Sequence, residues 1–261
     1  MAPVYADVSF TPDLVTANVT KSAVCGISIS GNIQFVKSNL QLNIKPSSSG
    51  QELKPTVECI SQNKSVSTGT FDLSGGLTAR GKSDQIMRSL RGNLDFKAKD
   101  GRIYKATILA KLFSLINVTG IFQGSIPDLV KEGFSYQSLI IQGNIENGKL
   151  LLKEAVLNAP SMQIAATGSI DLVKKKVDVK ALVSPLKPVN VILRNIPIIK
   201  NIVGRNFASI PVKIEGNLEN PEVSYLPVTE VGSGLLGIVK RTLMTPVYLI
   251  EPLIPGKKKN P

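Results

Sequence analysis

Residues that could carry catalysis are scarce in this 261-residue chain, which contains no histidine. Without histidine, the commonest general base and the Ser-His and Cys-His nucleophile systems are excluded. The acidic pairs Asp95 with Asp100 and Glu215 with Glu219 lie beside predicted turns, where we expect them to be solvated. We therefore predict a non-catalytic protein with no catalytic residue, no cofactor and no metal site.

Three glycines, Gly232, Gly234 and Gly237, form a G-x-G-x-x-G pattern in front of a predicted helix. This spacing is typical of dinucleotide-binding loops when a βαβ unit surrounds it. Too few residues follow Gly237 to build the second strand and its ribose-binding acid. We interpret the glycines as a flexible loop before a terminal helix.

The two cysteines, Cys25 and Cys59, do not form a C-x-x-C motif, so zinc binding and thioredoxin-like chemistry are not indicated. Both lie in or beside strand-like runs, at Ser22–Ser30 and Thr56–Ile60. Two buried thiols and a disulfide formed in an oxidising compartment both fit this pattern. The pairing of Cys25 with Cys59 is thus left open at this stage.

The formal net charge is +12, from 31 basic and 19 acidic residues. Such a charge favours anionic partners: nucleic acid, acidic lipid headgroups or lipopolysaccharide-like surfaces. Single-stranded nucleic acid is bound by basic residues interleaved with aromatic ones. Aromatic residues make up only 5% of the chain, and its basic residues alternate with aliphatic ones. We therefore expect a membrane surface, not nucleic acid, as the partner.

Apolar and polar residues alternate along many segments, as in an antiparallel sheet with one apolar face. Clear examples are 40–45, 94–99, 176–183 and 210–215. A phrase of Gly, a small polar residue and an apolar residue recurs, mostly at one or two multiples of about 24 residues, which indicates a strand-based array. We take it to open strands at Gly31, Gly69, Gly92, Gly143, Gly168 and Gly216. The fold class predicted is mainly β: an elongated, twisted antiparallel sheet folded into an open groove or sandwich, with a few short helices including a C-terminal one.

Turn and helix signals are sparse. Asp100-Gly101 and Asn147-Gly148 each predict a hairpin. Helical spacing predicts helices over Lys105–Ile116 and Ser233–Leu243, with a short turn-rich helix over Ser83–Leu90 and a further turn over Pro127–Lys131.

So few helices cannot cover the apolar faces of all these strands, which leaves two arrangements. The sheet either folds over itself as a sandwich or leaves an apolar trough that holds a hydrophobic guest such as acyl chains. The predicted trough residues are Leu94, Phe96, Ile108, Leu112, Val177, Val179, Ile210 and Val212.

The segment from Gly232 to Pro261 is both basic and apolar, which suits docking on a membrane surface. It is equally suited to a terminal helix that seals the end of the sheet. The predicted membrane-surface residues are Leu235, Leu236, Lys240, Arg241 and Ile250.

Several ordered phrases between Ser67 and Pro255 resemble the C-terminal domain of AsmA-like proteins. They lie at Gly92–Tyr104, Leu112–Asn117, Gly133–Tyr136, Asn147–Leu150, Ala165–Leu172, Asn195–Lys200, Ile210–Gly216 and Asn220–Val223. The resemblance implies a long β-groove lined with apolar residues, similar to bridge-like lipid transfer proteins. It further implies a role in outer-membrane biogenesis and in phospholipid movement between the membranes of Gram-negative bacteria, without catalytic residues.

From the resemblance we expect a periplasmic module, associated with the inner membrane through an upstream anchor that this sequence lacks. Phospholipids, the membrane surface and envelope proteins are the expected partners. The alternative is a closed β-sandwich that scaffolds outer-membrane protein assembly without binding lipid. We divide the chain into an N-terminal β-repeat portion (1–80) that ends a longer groove, an AsmA-like β domain (81–231), and a C-terminal amphipathic helix with a basic tail (232–261).

Overall fold

The computed structural model describes residues 4–61, 67–104, 106–116, 131–186, 199–200 and 208–244. These residues form three helices: α1 (Leu53–Ser61), α2 (Thr107–Ile116) and α3 (Ser233–Met244). They also form fourteen strands: β1 (Tyr5–Thr11), β2 (Leu14–Lys21), β3 (Ala23–Val24), β4 (Ile27–Val36), β5 (Asn39–Glu52), β6 (Thr70–Gly81), β7 (Arg91–Ile103), β8 (Phe134–Glu146), β9 (Lys149–Asn158), β10 (Met162–Asp171), β11 (Lys176–Pro185), β12 (Ile199–Lys200), β13 (Ala208–Asn217) and β14 (Glu222–Tyr225).

The strands build one open antiparallel sheet in the order β1-β2-β4-β5-β6-β7-β8-β9-β10-β11-β13-β12. The short strands β3 and β14 pair with β4 and β13. Almost every strand therefore lies beside its neighbour in sequence, because short turns can join antiparallel strands directly. The predicted mainly-β open sheet is confirmed. The sandwich option is not adopted, since the described strands form a single layer.

Strict alternation gives this sheet two chemically distinct faces. Val8, Ala17, Ile33, Leu42 and Ala79 are successive cross-strand partners, and they define what we call the inner face. The partners in the adjacent row point the other way and define the outer face: Asn18, Asn32, Asn43 and Thr78.

Helix α2 covers the inner face at the C-terminal end of the sheet. Its side chains Leu109, Leu112, Phe113 and Ile116 recur at helical spacing and are all buried. They join one core cluster with inner-face residues of β11 and β13, including Val179, Val183 and Val212. The predicted helix over Lys105–Ile116 is confirmed from Thr107 onward, and Lys105 lies outside the described residues.

Helix α3 packs on the opposite, outer face of the same strands. Leu235, Ile238 and Val239 form a second cluster with Val156, Ala165 and Leu182. The prediction of a C-terminal helix over Ser233–Leu243 is confirmed. The sheet is thus covered on both faces at this end.

Helix α1 was not predicted, because Thr56–Ile60 reads as a strand. Leu53, Thr56 and Val57 nevertheless follow helical i, i+3, i+4 spacing, and they form the face that packs on the sheet. Pro55 in the first turn has a φ angle suited to a helix start. A disulfide between Cys25 and Cys59 ties α1 to the β3–β4 hairpin, with a Cα–Cα distance of 5.5 Å.

Two of the turn and glycine predictions need correction. Strand β7 runs through Asp100-Gly101 without a hairpin; Asp100 has φ of 50° and marks an irregularity within the strand. Asn147-Gly148 does form the predicted hairpin, with φ of 51° and 73°.

The recurring glycines do not all open strands, since Gly31 and Gly168 lie inside β4 and β10. Both have φ near +140°, and a Cβ atom on either one would lie within 2.3 Å of a carbonyl oxygen of the neighbouring strand. Only glycine fits such a close approach.

The segment Ser83–Leu90 forms a 3-10 turn at Ile86–Ser89 in place of the expected short helix. The turn predicted over Pro127–Lys131 falls mostly outside the described residues. Among the helices that the structure describes, none is long and apolar enough to cross a membrane.

Candidate functional site

The inner face is apolar across the first five strands; α1 reaches it near Ile27, with which it shares a core cluster, whereas α2 and α3 pack at the other end of the sheet. Its large side chains are partly or largely exposed: Val8 is 48% exposed, Phe10 74% and Phe35 46%. Their neighbours Ile33 and Leu42 are half-buried. A contiguous apolar face of this kind is uncommon on a monomer and marks an interaction or ligand-binding surface.

The outer face of the same strands is polar. It presents mainly Ser, Thr, Asn and Gln; one side-chain pair, Asn32 Nδ2 to Asn18 Oδ1, forms a 2.6 Å hydrogen bond. Apolar side chains are therefore concentrated on one face of these strands and polar side chains on the other, which a random distribution of surface residues would not produce. The sequence signal was the alternation at Leu40, Leu42 and Ile44.

The predicted trough residues fall into two groups. Leu94 and Phe96 lie on the inner face of β7, half-buried, and Phe96 stacks on Phe71 with ring centroids 5.7 Å apart. They sit between the open strands and the covered ones.

The other predicted trough residues belong to the core at the covered end. Val177, Val179, Ile210 and Val212 lie on the inner face, but each is at most 6% exposed. Leu112 is buried and Ile108 partly buried on α2 itself. The expectation that they line an open trough is therefore corrected, because α2 occupies the space above these strands. The open part lies on β1–β5, whose Val8, Phe10 and Phe35 were not among the predicted residues.

Polar contacts fix α2 at this covered end. Lys111 Nζ donates hydrogen bonds to Asn220 Oδ1 and to the carbonyl oxygen of Pro221, both at 2.7 Å. The Tyr225 hydroxyl donates to the carbonyl oxygen of Leu115 at 2.6 Å. Burial raises the pKa of Tyr225, so this phenol stays protonated and remains a donor at neutral pH.

A similar bond holds the middle of the sheet. The Tyr136 hydroxyl donates to the carbonyl oxygen of Thr68 at 2.6 Å. Burial raises the pKa of Tyr136 as well.

The predicted membrane-surface residues are also divided. Leu235 is buried against the sheet, so its side chain is unavailable to a membrane, and that part of the prediction is corrected. Leu236 is half-buried, whereas Lys240 and Arg241 are exposed, with Arg241 in a 2.6 Å ion pair with Glu154. Ile250 lies outside the described residues, and membrane docking by this segment stays a prediction.

The candidate acids of the sequence do not gather into a catalytic pair. Asp95, Glu215 and Glu219 each form an ion pair with a lysine, at 3.7, 2.6 and 3.3 Å, on partly exposed side chains. Within the described part of the chain, no cluster of His, Cys, Asp and Glu residues could hold a metal ion. These acids are thus engaged with lysines, and the feature that stands out in the described part of the chain is its apolar contact surface.

Comparison with known proteins gives one family. The model of a family described as YhdP protein matches residues 16–223, starting well before the stretch that resembled AsmA-like proteins. Searches of curated proteins and of solved structures gave no match. This family falls within the AsmA-like, bridge-like lipid transfer group. The match therefore supports the resemblance at the level of that group and does not assign the chain to AsmA itself. The family is not known for enzymatic activity. Membership in it is consistent with a cell-envelope role related to lipid transport. Since the match spans well over half of its residues, this chain belongs to the YhdP family.

Proposed function

We propose that the chain holds phospholipid by its acyl chains along the open inner face, and guides it between membranes of the cell envelope in support of outer-membrane biogenesis. The observation that carries this proposal is the apolar face of β1–β5, whose large side chains Val8, Phe10 and Phe35 are about half exposed or more among the described residues, backed by a polar outer face. An acyl chain gains free energy by leaving water for such a surface, at about 25 cal/mol per Å² of apolar area buried.

The dimensions of the open face fit this guest. Neighbouring strands lie about 4.8 Å apart, so the path from β1 through β2 and β4 to β5 measures about 14 Å across the strands. Half of a bilayer's hydrocarbon core is about 15 Å thick. An acyl chain thus finds an apolar surface about as long as itself.

Charge supports the same proposal. The net charge of +12 attracts anionic headgroups and membrane surfaces. The described side chains around Val8, Ala17, Ile33 and Leu42 on the inner face are uncharged, so headgroups would remain at its margins while the acyl chains lie on the strands. We propose that the protein acts in the periplasm of a Gram-negative bacterium, because the AsmA-like, bridge-like lipid transfer group suggests phospholipid movement between the membranes there.

The test compares two double variants with equal added charge. Val8→Asp with Phe35→Asp places two carboxylates on the inner face, and Ser9→Asp with Ser28→Asp places two on the outer face of the same strands, β1 and β4. Both inner positions are about half exposed, so neither pair should disturb the core. Circular dichroism would verify that both variants fold.

Native mass spectrometry with lipid extraction, followed by uptake of a fluorescent phospholipid, gives the readout. We expect phospholipid on the wild type and on the outer-face variant. On the inner-face variant we expect a loss of at least about tenfold, because a carboxylate next to an acyl chain is poorly solvated. A lipid-free wild type that takes up no probe would refute the proposal and favour the lipid-free scaffold.

A further inference from the structure

A polar cleft crosses the outer face of β4–β7 and is unexplained by the lipid proposal. It has a volume of about 500 Å³, within the range of small-ligand sites. Eight of its ten lining residues are polar or basic and none is acidic; the remaining two, Leu42 and Ala79, lie between them along β5 and β6 and belong by alternation to the inner face. We call it the furrow, and its polar residues are Asn32, Gln34, Gln41, Asn43, Thr78, Arg80, Ser89 and Arg91.

Strand register explains how these residues meet. Gln34 and Gln41 are cross-strand partners, and Gln41 is paired in turn with Arg80. Thr78 is paired with Asn43 on one side and with Arg91 on the other. Two adjacent rows of hydrogen-bonding side chains therefore cross the strands, and each row ends on an arginine.

Both guanidinium groups are available to an anion. Neither Arg80 nor Arg91 forms an ion pair with a described residue, and the Arg91 side chain donates only to Asn147 Oδ1, at 3.0 Å. A guanidinium binds carboxylate or phosphate in a fixed fork of donors. Arg91 also lines a second hollow that contains Glu146, and the negative charge of Glu146 favours an anion on the Arg80 side of Arg91.

The amides add a second specificity. The side chains of Gln34, Gln41 and Asn43 form no hydrogen bond with the part of the chain that the structure describes. Each amide both donates and accepts, which matches a hydroxyl group that does the same. Elsewhere on the outer face, β7 carries the lysines Lys97 and Lys99, so solubility alone does not require amides here.

We propose that the furrow binds an acidic oligosaccharide, whose negative group pairs with Arg80 and Arg91 and whose hydroxyls bond the amides. The furrow lies on the face opposite the acyl-chain surface. Both ligands can therefore be bound at once, and the two proposals stand or fall separately.

Isothermal titration calorimetry on the full chain tests this with tetragalacturonate as the probe. Arg80→Gln with Arg91→Gln should weaken binding by about tenfold or more, because charge-assisted hydrogen bonds are lost. Lys45→Gln with Lys99→Gln removes the same charge from the outer face away from the furrow, and should change binding less than twofold. Gln41→Ala with Asn43→Ala should weaken tetragalacturonate binding and leave any binding of inorganic phosphate unchanged.

Three results would overturn the proposal. The first is no binding of tetragalacturonate, and the second is an equal loss in the lysine control, which would indicate non-specific charge attraction. The third is binding of neutral maltotetraose or of inorganic phosphate as tight as that of tetragalacturonate, since either would remove the need for an acidic saccharide. Phospholipid uptake by the arginine variant should match the wild type, so a failure here is separate from a failure of the lipid proposal.

Discussion

Reduction of the Cys25–Cys59 disulfide should destabilise the open end of the sheet. The bond closes a loop with a sequence separation of 34 residues. In the chain-entropy description, a loop of this length lowers the entropy of the unfolded chain enough to contribute about 3.8 kcal/mol at 25 °C. Measured values for natural disulfides are mostly about 2–4 kcal/mol, so we expect a loss in this range.

Urea denaturation followed by circular dichroism, with and without a reducing agent, measures this loss on one sequence. The double variant Cys25→Ser with Cys59→Ser should match the reduced wild type. Serine keeps the left-handed backbone conformation that Cys25 adopts, with φ of 54°, at a similar cost. A difference below about 1 kcal/mol, or two titratable thiols in the native protein, would refute the reasoning.

The effect should also be local. Helix α1 has nine residues, too few to be stable as an isolated helix in water. Once the bond to the β3–β4 hairpin is broken, α1 loses its covalent tie to the sheet and keeps the packing of Leu53, Thr56 and Val57. Hydrogen exchange of α1 amides should accelerate on reduction, while that of β9–β11 should not change.

Further variants test the covered end and the backbone. Phe113→Ala should lower the free energy of unfolding by about 3–5 kcal/mol because the ring is 2% exposed, whereas Met87→Ala, 45% exposed, should change it by less than about 0.5 kcal/mol in the same urea titration. Gly168→Ala should cost about 1–3 kcal/mol, since φ is +138° and the new Cβ would lie 2.3 Å from a neighbouring carbonyl oxygen. Gly237→Ala, in a helix with open space around it, should instead stabilise by about 0.5–1 kcal/mol, and equal melting temperatures for the two glycine variants would contradict this account. Lys111→Met should cost about 1–3 kcal/mol through two lost hydrogen bonds, and an unchanged unfolding midpoint would show that they do not hold α2.

Local patterns predicted the elements well where one physical signal dominated. Alternation in 40–45 and 176–183 predicted strands with one apolar face, because the side-chain period of a strand is two. The Asn147-Gly148 hairpin followed from residues that tolerate positive φ. The prediction failed at Asp100-Gly101, where pairing with β8 continues β7 through residues that alone would favour a turn.

The candidate site was harder to predict than the fold. Alternation shows which side chains share a face, and it cannot show which part of that face a helix will cover. Val177 and Val212 have the same pattern as Ile33 and Leu42, yet the former two are buried and the latter two are partly open. The division depends on where α2 docks, and that is fixed by contacts such as Lys111 with Asn220, which are 109 residues apart in sequence.

The sequence by itself determined the class of this protein: a β-rich, basic chain without histidine, whose strands each carry one apolar and one polar face. These properties are local, since they depend on residue type and on a period of two. Only the tertiary structure decided that the strands form one open sheet, that α1 is a helix bonded through Cys59 to Cys25, and that α2 and α3 pack at one end, away from the exposed apolar side chains of β1 and β4. Long-range packing and cross-strand register set these features, and they bring together residues that no short stretch of sequence can relate.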